Sequence, residues 1–256
     1  MARTTKTSAG RAGRPARGEE AERRDALLTT ALDIFLKQGF SGTSLDDIAR
    51  AACVAKRTIY EQFGGKEGLF ASAIERSATR LVVKFPAVAV AGFELGPNLL
   101  SVGCAVLDFI LQPRSLAIYR LVAGEAKRQP KLARMFYEHG PARVIANVAE
   151  RLAGHMRQGR IQKDDPVVVA RRFIGLVVLE VHQRALLGIL PPMNAMERQQ
   201  HVAATVALFL AALGTTSAPG KRADAAALRQ VTPMSYSLVD NLGYISLLLV
   251  VDLSML

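Results

Sequence analysis

Tryptophan is absent from this chain, and only 6% of its 256 residues are aromatic. Strand-rich architectures draw heavily on aromatic residues, so this scarcity argues against them. The two cysteines, Cys53 and Cys104, are too few for a disulfide scaffold, and their spacing fits no zinc site. The four histidines, His139, His155, His182 and His201, lie far apart with no ligand-like pairing. No metal or cofactor is therefore expected. Catalytic signatures are missing too. There is no G-x-S-x-G and no H-E-x-x-H, and "FGGKEGLF" lacks the spacing of a phosphate loop. The chain is not expected to be an enzyme. Acids, not an apolar run, follow the basic N-terminus, so no secretory signal is read and a cytoplasmic location is expected. The dense apolar run "YISLLLVVDLSML" is interrupted by Asp252 and falls short of the ~20 residues a membrane span needs, so no membrane partner is expected.

What is present is helical. Half of the residues are apolar, with abundant Ala and Leu, enough to bury a real core. Leu28, Ala31, Leu32, Phe35 and Leu36 follow the spacing of one buried helix face over 19–38, and Gly39 stands where that helix should stop. Ser44 is a natural N-cap for a second, short helix, and Asp46 and Asp47 suit the positive end of its dipole. A third short helix is expected over 56–63, and the pattern resumes beyond Lys66. Further helices are predicted over 98–112, 114–127, 130–158 (broken near Gly140–Pro141), 166–188 and 195–213, punctuated by prolines. The fold class is all-α. Four segments follow: a flexible basic arm at 1–18, a helix-turn-helix head at 19–84, a larger helical domain at 85–213, and a linker with an apolar tail at 214–256.

The net charge is +11, which predicts attraction to polyanions. Arg3, Lys6, Arg11, Arg14 and Arg17 have no acid among them. Two short helices joined by a tight turn behind a longer helix describe a helix-turn-helix. Ala49 is small where the helices cross, and Val54 and Ile59 plug their junction. Lys56, Arg57, Thr58, Tyr60 and Glu61 lie on or near the second short helix, where cations and hydroxyls reach phosphates and base edges.

Residues 43–70, "TSLDDIARAACVAKRTIYEQFGGKEGLF", resemble the DNA-binding region of TetR-type transcriptional repressors. The match is dense over nearly the whole stretch, and 85–213 resemble the general helical plan of that family's regulatory domain. The resemblance implies that Thr43 and Ser44 touch phosphate. It implies that Lys56, Arg57 and Thr58 face bases and backbone, that Tyr60 gives its hydroxyl to phosphate, and that Lys66 holds a phosphate at a helix head. It also implies a homodimer built on the helices at 166–188 and 195–213, which are apolar over much of their circumference. The DNA operator should then be double-stranded and near-palindromic. A small lipophilic or amphipathic effector is expected among Phe109, Tyr119, Phe136, His139, Phe173 and His182. Two residues depart from the family pattern: Cys53 replaces the turn glycine, and Ala55 replaces a Ser or Thr cap.

Some readings stay open here. Arg14, in "GRAGRPARG", reads as a minor-groove arginine or as part of a plain basic tail. Arg57 reads a base or a phosphate. Cys53 is a redox switch or a small tolerated side chain. From another class stands a membrane-surface or protein-interaction module that uses the basic charge and the apolar tail.

Overall fold

The computed structural model describes residues 17–85 and 94–213, which form ten α-helices and no strand. They are α1 (Arg17–Gly42), α2 (Leu45–Ala51), α3 (Lys56–Phe63), α4 (Lys66–Val82) and α5 (Leu95–Ile110). Then come α6 (Pro113–Glu125), α7 (Pro130–His139), α8 (Pro141–Arg157), α9 (Pro166–Leu187) and α10 (Ala195–Ala212). Residues 1–16 of the predicted arm, including Arg14, and the predicted linker and tail at 214–256 lie outside the described residues; the last two arm positions, Arg17 and Gly18, belong to α1.

Most helix ends fall within about two residues of those expected, and the two larger differences have physical reasons. The first helix breaks at Gly39 (φ 75°, ψ 163°), as its glycine predicts, but one more turn follows, to Gly42. Side chains from later in the chain bind carbonyls at this break and stabilise the extra turn: Thr43 takes Gly39 O, and Lys66 takes Phe40 O. The fifth helix starts at Leu95, ahead of Pro97. A proline in the first turn costs nothing, because its missing N–H has no helical acceptor there.

Caps mark several ends. Ser44 caps α2 by accepting from Asp47 N at 3.1 Å. Asp165 caps α9 through Val167 N at 2.8 Å, with Pro166 behind it. Asn194 and Glu197 form a reciprocal capping box on α10.

The head has its own core. Phe35, Phe40 and Phe70 are fully buried, with ring centroids 5.2–5.7 Å apart. Ile48, Ile59 and Leu69 fill the space around them. That core does not stop at α4. Ile118 and Val122 of α6 and Leu132 of α7 belong to it. Ion pairs reinforce the joint: Arg114–Asp33 at 2.9 Å from α6 to α1, and Arg143–Glu75 at 2.6 Å from α8 to α4. A second core is built by α5, α8, α9 and α10 together with Leu81 at the end of α4 and Phe85 just beyond it, and in it Phe173 and Phe209 pack at 5.1 Å. Leu176, Leu179 and Leu187 on α9 and Leu208 on α10 remain 48–66% exposed, a large apolar face for a single chain. No single described helix is long and apolar enough to cross a membrane; α5 and α6 pass that test only as a pair bent by 70°.

Candidate nucleic-acid interface

The turn between α2 and α3 is tight. Val54 N donates to Ala49 O at 3.0 Å, and Ala49 and Ile59 are buried at the crossing. Cys53 adopts φ 54°, the one positive φ outside glycine among the described residues. The turn thus keeps its left-handed residue although the glycine is gone. Ala55 stands at the N-cap of α3 and supplies no side-chain bond. Thr58 N instead reaches Ala55 O at 2.9 Å.

The exposed face of α3 carries the charged side chains. Lys56 Nζ donates to Asp46 Oδ2 at 2.9 Å, joining α3 to α2, and that bond raises its pKa above the ordinary value. Arg57 is 86% exposed, and its Nε donates to Glu61 Oε1 at 2.6 Å. Tyr60 is 52% exposed, and Thr58 is half-buried. On α2, Arg50 pairs with Asp47 at 3.2 Å, while the Ser44 hydroxyl donates to Asp47 Oδ2 at 2.6 Å. These bonds to Ser44 and Arg50 hold the Asp47 carboxyl below its ordinary pKa. Asp46, Asp47 and Glu61 therefore share this face with the cations; the sequence reading expects none of these pairings and assigns Asp46 and Asp47 only to the helix dipole. Arg57–Glu61 and Asp47–Arg50 were visible as i, i+4 and i, i+3 pairs; Lys56–Asp46 depends on the angle between two helices.

Two expected phosphate contacts need correction. Thr43 is 3% exposed, and its hydroxyl donates to Gly39 O at 2.7 Å. Its side chain braces the end of α1 and does not face a ligand. Lys66 Nζ donates to Phe40 O and Thr43 O, both at 2.9 Å, and lies 4.7 Å from the Phe40 ring centroid. It turns inward, toward the α1–α2 junction.

The six effector candidates do not converge. Tyr119, Phe136 and His182 do meet: the Tyr119 ring stands edge-on to Phe136 at 5.9 Å and to His182 at 4.8 Å. Burial pushes the His182 imidazole pKa down. Phe173 is wholly inside the second core, and Phe109 packs on its edge. His139 sits apart, with Nδ1 at 3.3 Å from Glu75, because its helix ends against α4. A cavity of about 600 Å³ opens elsewhere, between the start of α9 and the end of α10, over Val169, Leu176, Leu208 and Phe209. None of the six candidates lines it.

Comparison with known proteins assigns the scaffold. Residues 27–73 match the sequence model of bacterial regulatory proteins of the tetR family, and residues 97–215 match that of the AefR-like transcriptional repressor C-terminal domain. The chain is 34% identical to the solved flavonoid-responsive regulator FrrA, with a TM-score of 0.64, over 75% of this chain and 97% of that one. The chain belongs to the TetR family of transcriptional regulators. Among curated relatives, the transcriptional regulator AlkX of Mycobacterium tuberculosis is 41% identical over 59 residues, 23% of this chain and 28% of that protein. The transcriptional repressor ComR of Escherichia coli is 38% identical over 64 residues, 25% of this chain and 30% of that protein. The chain thus spans under a third of the length of these curated relatives. As a TetR-family head, α1–α4 keeps the α2–turn–α3 geometry while bearing Cys53 and Ala55 at two of its turn positions.

Proposed function

We propose that this TetR-family chain is a homodimeric repressor that binds a near-palindromic DNA operator and leaves it when a small lipophilic or amphipathic effector binds. The observation that carries the reading is α3. It is a short helix behind a tight turn, with Lys56, Arg57 and Tyr60 on its exposed side. Arg57 offers a fork that matches guanine O6 and N7, Lys56 and Tyr60 supply phosphate contacts, and Ser44 adds a hydroxyl at the head of α2. The basic arm with Arg14 contributes salt-sensitive affinity for any duplex. The reading takes the exposed leucines of α9 and α10 as the dimer contact. Two recognition helices then meet half-sites about 34–36 Å apart or a related spacing. The cluster of Tyr119, Phe136 and His182, between α6, α7 and α9, is the best-supported place for an effector. An effector shifts the DNA-competent population only by as much as it prefers the other form. Such a protein works in the cytoplasm, beside the DNA.

Selection of duplexes from a random pool by the full chain tests the DNA half. The expected product is one motif with inverted half-sites. A pool that gains no motif over repeated rounds refutes the reading. For the switch half, a library of small aromatic and acyl compounds is screened for release of the selected duplex. Binding that no compound alters counts against an effector.

A further inference from the structure

Lys66 is the head residue whose geometry departs furthest from the role its motif implies. An ammonium has three donors and no acceptor. Two of the three are spent on Phe40 O and Thr43 O at 2.9 Å each, and the charge lies over the Phe40 ring. The bound carbonyls are well chosen. Phe40 O belongs to the turn beyond the break at Gly39, where helical partners run out. Thr43 O directly precedes Ser44, the cap of α2. Gly39 O is held as well, by the Thr43 hydroxyl. Side chains of Thr43 and Lys66 therefore tie down Gly39 O, Phe40 O and Thr43 O at the α1–α2 junction.

That junction aims the DNA-reading surface. The seven residues of α2 and eight of α3 are too few to hold a helix alone, so their direction is set by what they are tied to. α4, by contrast, is anchored along its length. Ile74 lies where a Cβ on Gly140 would come within 3.1 Å of it, and Glu75 pairs with Arg143. We infer that Lys66 is a positioning residue. It fixes the α1–α2 junction to the first turn of α4, and so sets the angle at which α2 and α3 meet the duplex, instead of holding a phosphate itself. This inference rests on the DNA-binding reading above.

The two roles separate by salt. A lysine that neutralises a phosphate adds about 0.9 to the slope of log Kobs against log salt, once per subunit, and serves all sequences alike. A positioning lysine moves only the specific complex. The experiment uses the full chain and Lys66→Met, which keeps the apolar stem. The probes are the duplex selected by the unsubstituted chain and a scrambled duplex, from about 50 to 200 mM salt. The active fraction is fixed by stoichiometric titration. The expected result is a loss of about tenfold or more on the selected duplex, with affinity for the scrambled duplex and both salt slopes unchanged. Parallel loss on both duplexes with a lower slope overturns the inference. So does a smaller active fraction whose remaining molecules bind as before, since that marks a purely structural lysine. Lys66→Arg covers a Met variant that does not fold. Arg keeps the charge but carries a longer, planar fork. It restores binding if Lys66 holds phosphate, and leaves the selected-to-scrambled ratio low if Lys66 positions. If the unsubstituted chain does not distinguish the duplexes, the DNA-binding reading itself has failed, and this inference falls with it.

Discussion

Replacing Cys53 with glycine should stabilise the protein, and the size of the effect follows from its backbone. Cys53 is exposed at φ 54°; its N–H donates to Arg50 O at 3.3 Å, and its side chain adds a weak Sγ contact to the same oxygen at 3.9 Å. Holding a non-glycine residue in the left-handed region costs about 1–2 kcal/mol. Glycine removes that cost but adds about 0.4–1 kcal/mol of unfolded-state entropy. The net gain is between about 0 and 1.6 kcal/mol, centred on ~0.8, or a rise in Tm of roughly 2–3 °C at the centre for a protein of this size. Thermal unfolding of the full chain under reducing conditions measures it. Cys53→Ala is the control, because alanine loses the thiol and keeps the strain; its Tm should stay within about a degree of the unsubstituted chain. Equal gains in both variants would place the effect on the thiol. A loss of stability in Cys53→Gly would refute the strain argument.

Other outcomes follow from single contacts. A Cβ on Gly68 would lie 1.7 Å from Phe63 O, so Gly68→Ala should force α3 away from α4 and cost ~3 kcal/mol or more, read by denaturant unfolding. Leu208→Glu places a charge on the exposed α9–α10 face; sedimentation should show a monomer, and affinity for the selected duplex should fall at least about a hundredfold. Burial lowers the pKa of both His182 and His155, with the Arg160 charge adding to the effect at His155. The folded state therefore prefers neutral imidazoles, and the unfolded chain binds more protons below about pH 6.5. Stability should be complete above that pH and decline as the pH falls below it, and His182→Phe should flatten the decline in unfolding midpoints measured from pH 7.5 to 5.

The parts that were legible in the sequence are those that local rules govern. Helix faces repeat every few residues, prolines and glycines end them, and Ser44 announces its own cap, so the helices emerged close to their predicted bounds. The turn at Cys53 was readable because the motif around it was dense enough to place the left-handed position without its glycine. Contacts with distant backbone were not readable. Lys66 binds carbonyls 26 and 23 residues earlier, and nothing in the sequence marks a carbonyl as an acceptor. Thr43 looked like a polar residue at a helix head, and only packing shows its hydroxyl turned back to Gly39. The meeting of Tyr119, Phe136 and His182 depends on how three helices cross, which periodicity on each helix does not determine. The same holds for Phe173, whose place in the core is set by its neighbours on α10.

The most direct test of the central claim is fluorescence anisotropy of the full chain with the selected duplex and its scrambled counterpart, at several salt concentrations. The account predicts a gap of about a thousandfold or more at physiological salt, surviving as the salt rises. Equal affinity for both duplexes, lost together and steeply with salt, would contradict it and leave only the charge of the arm at work.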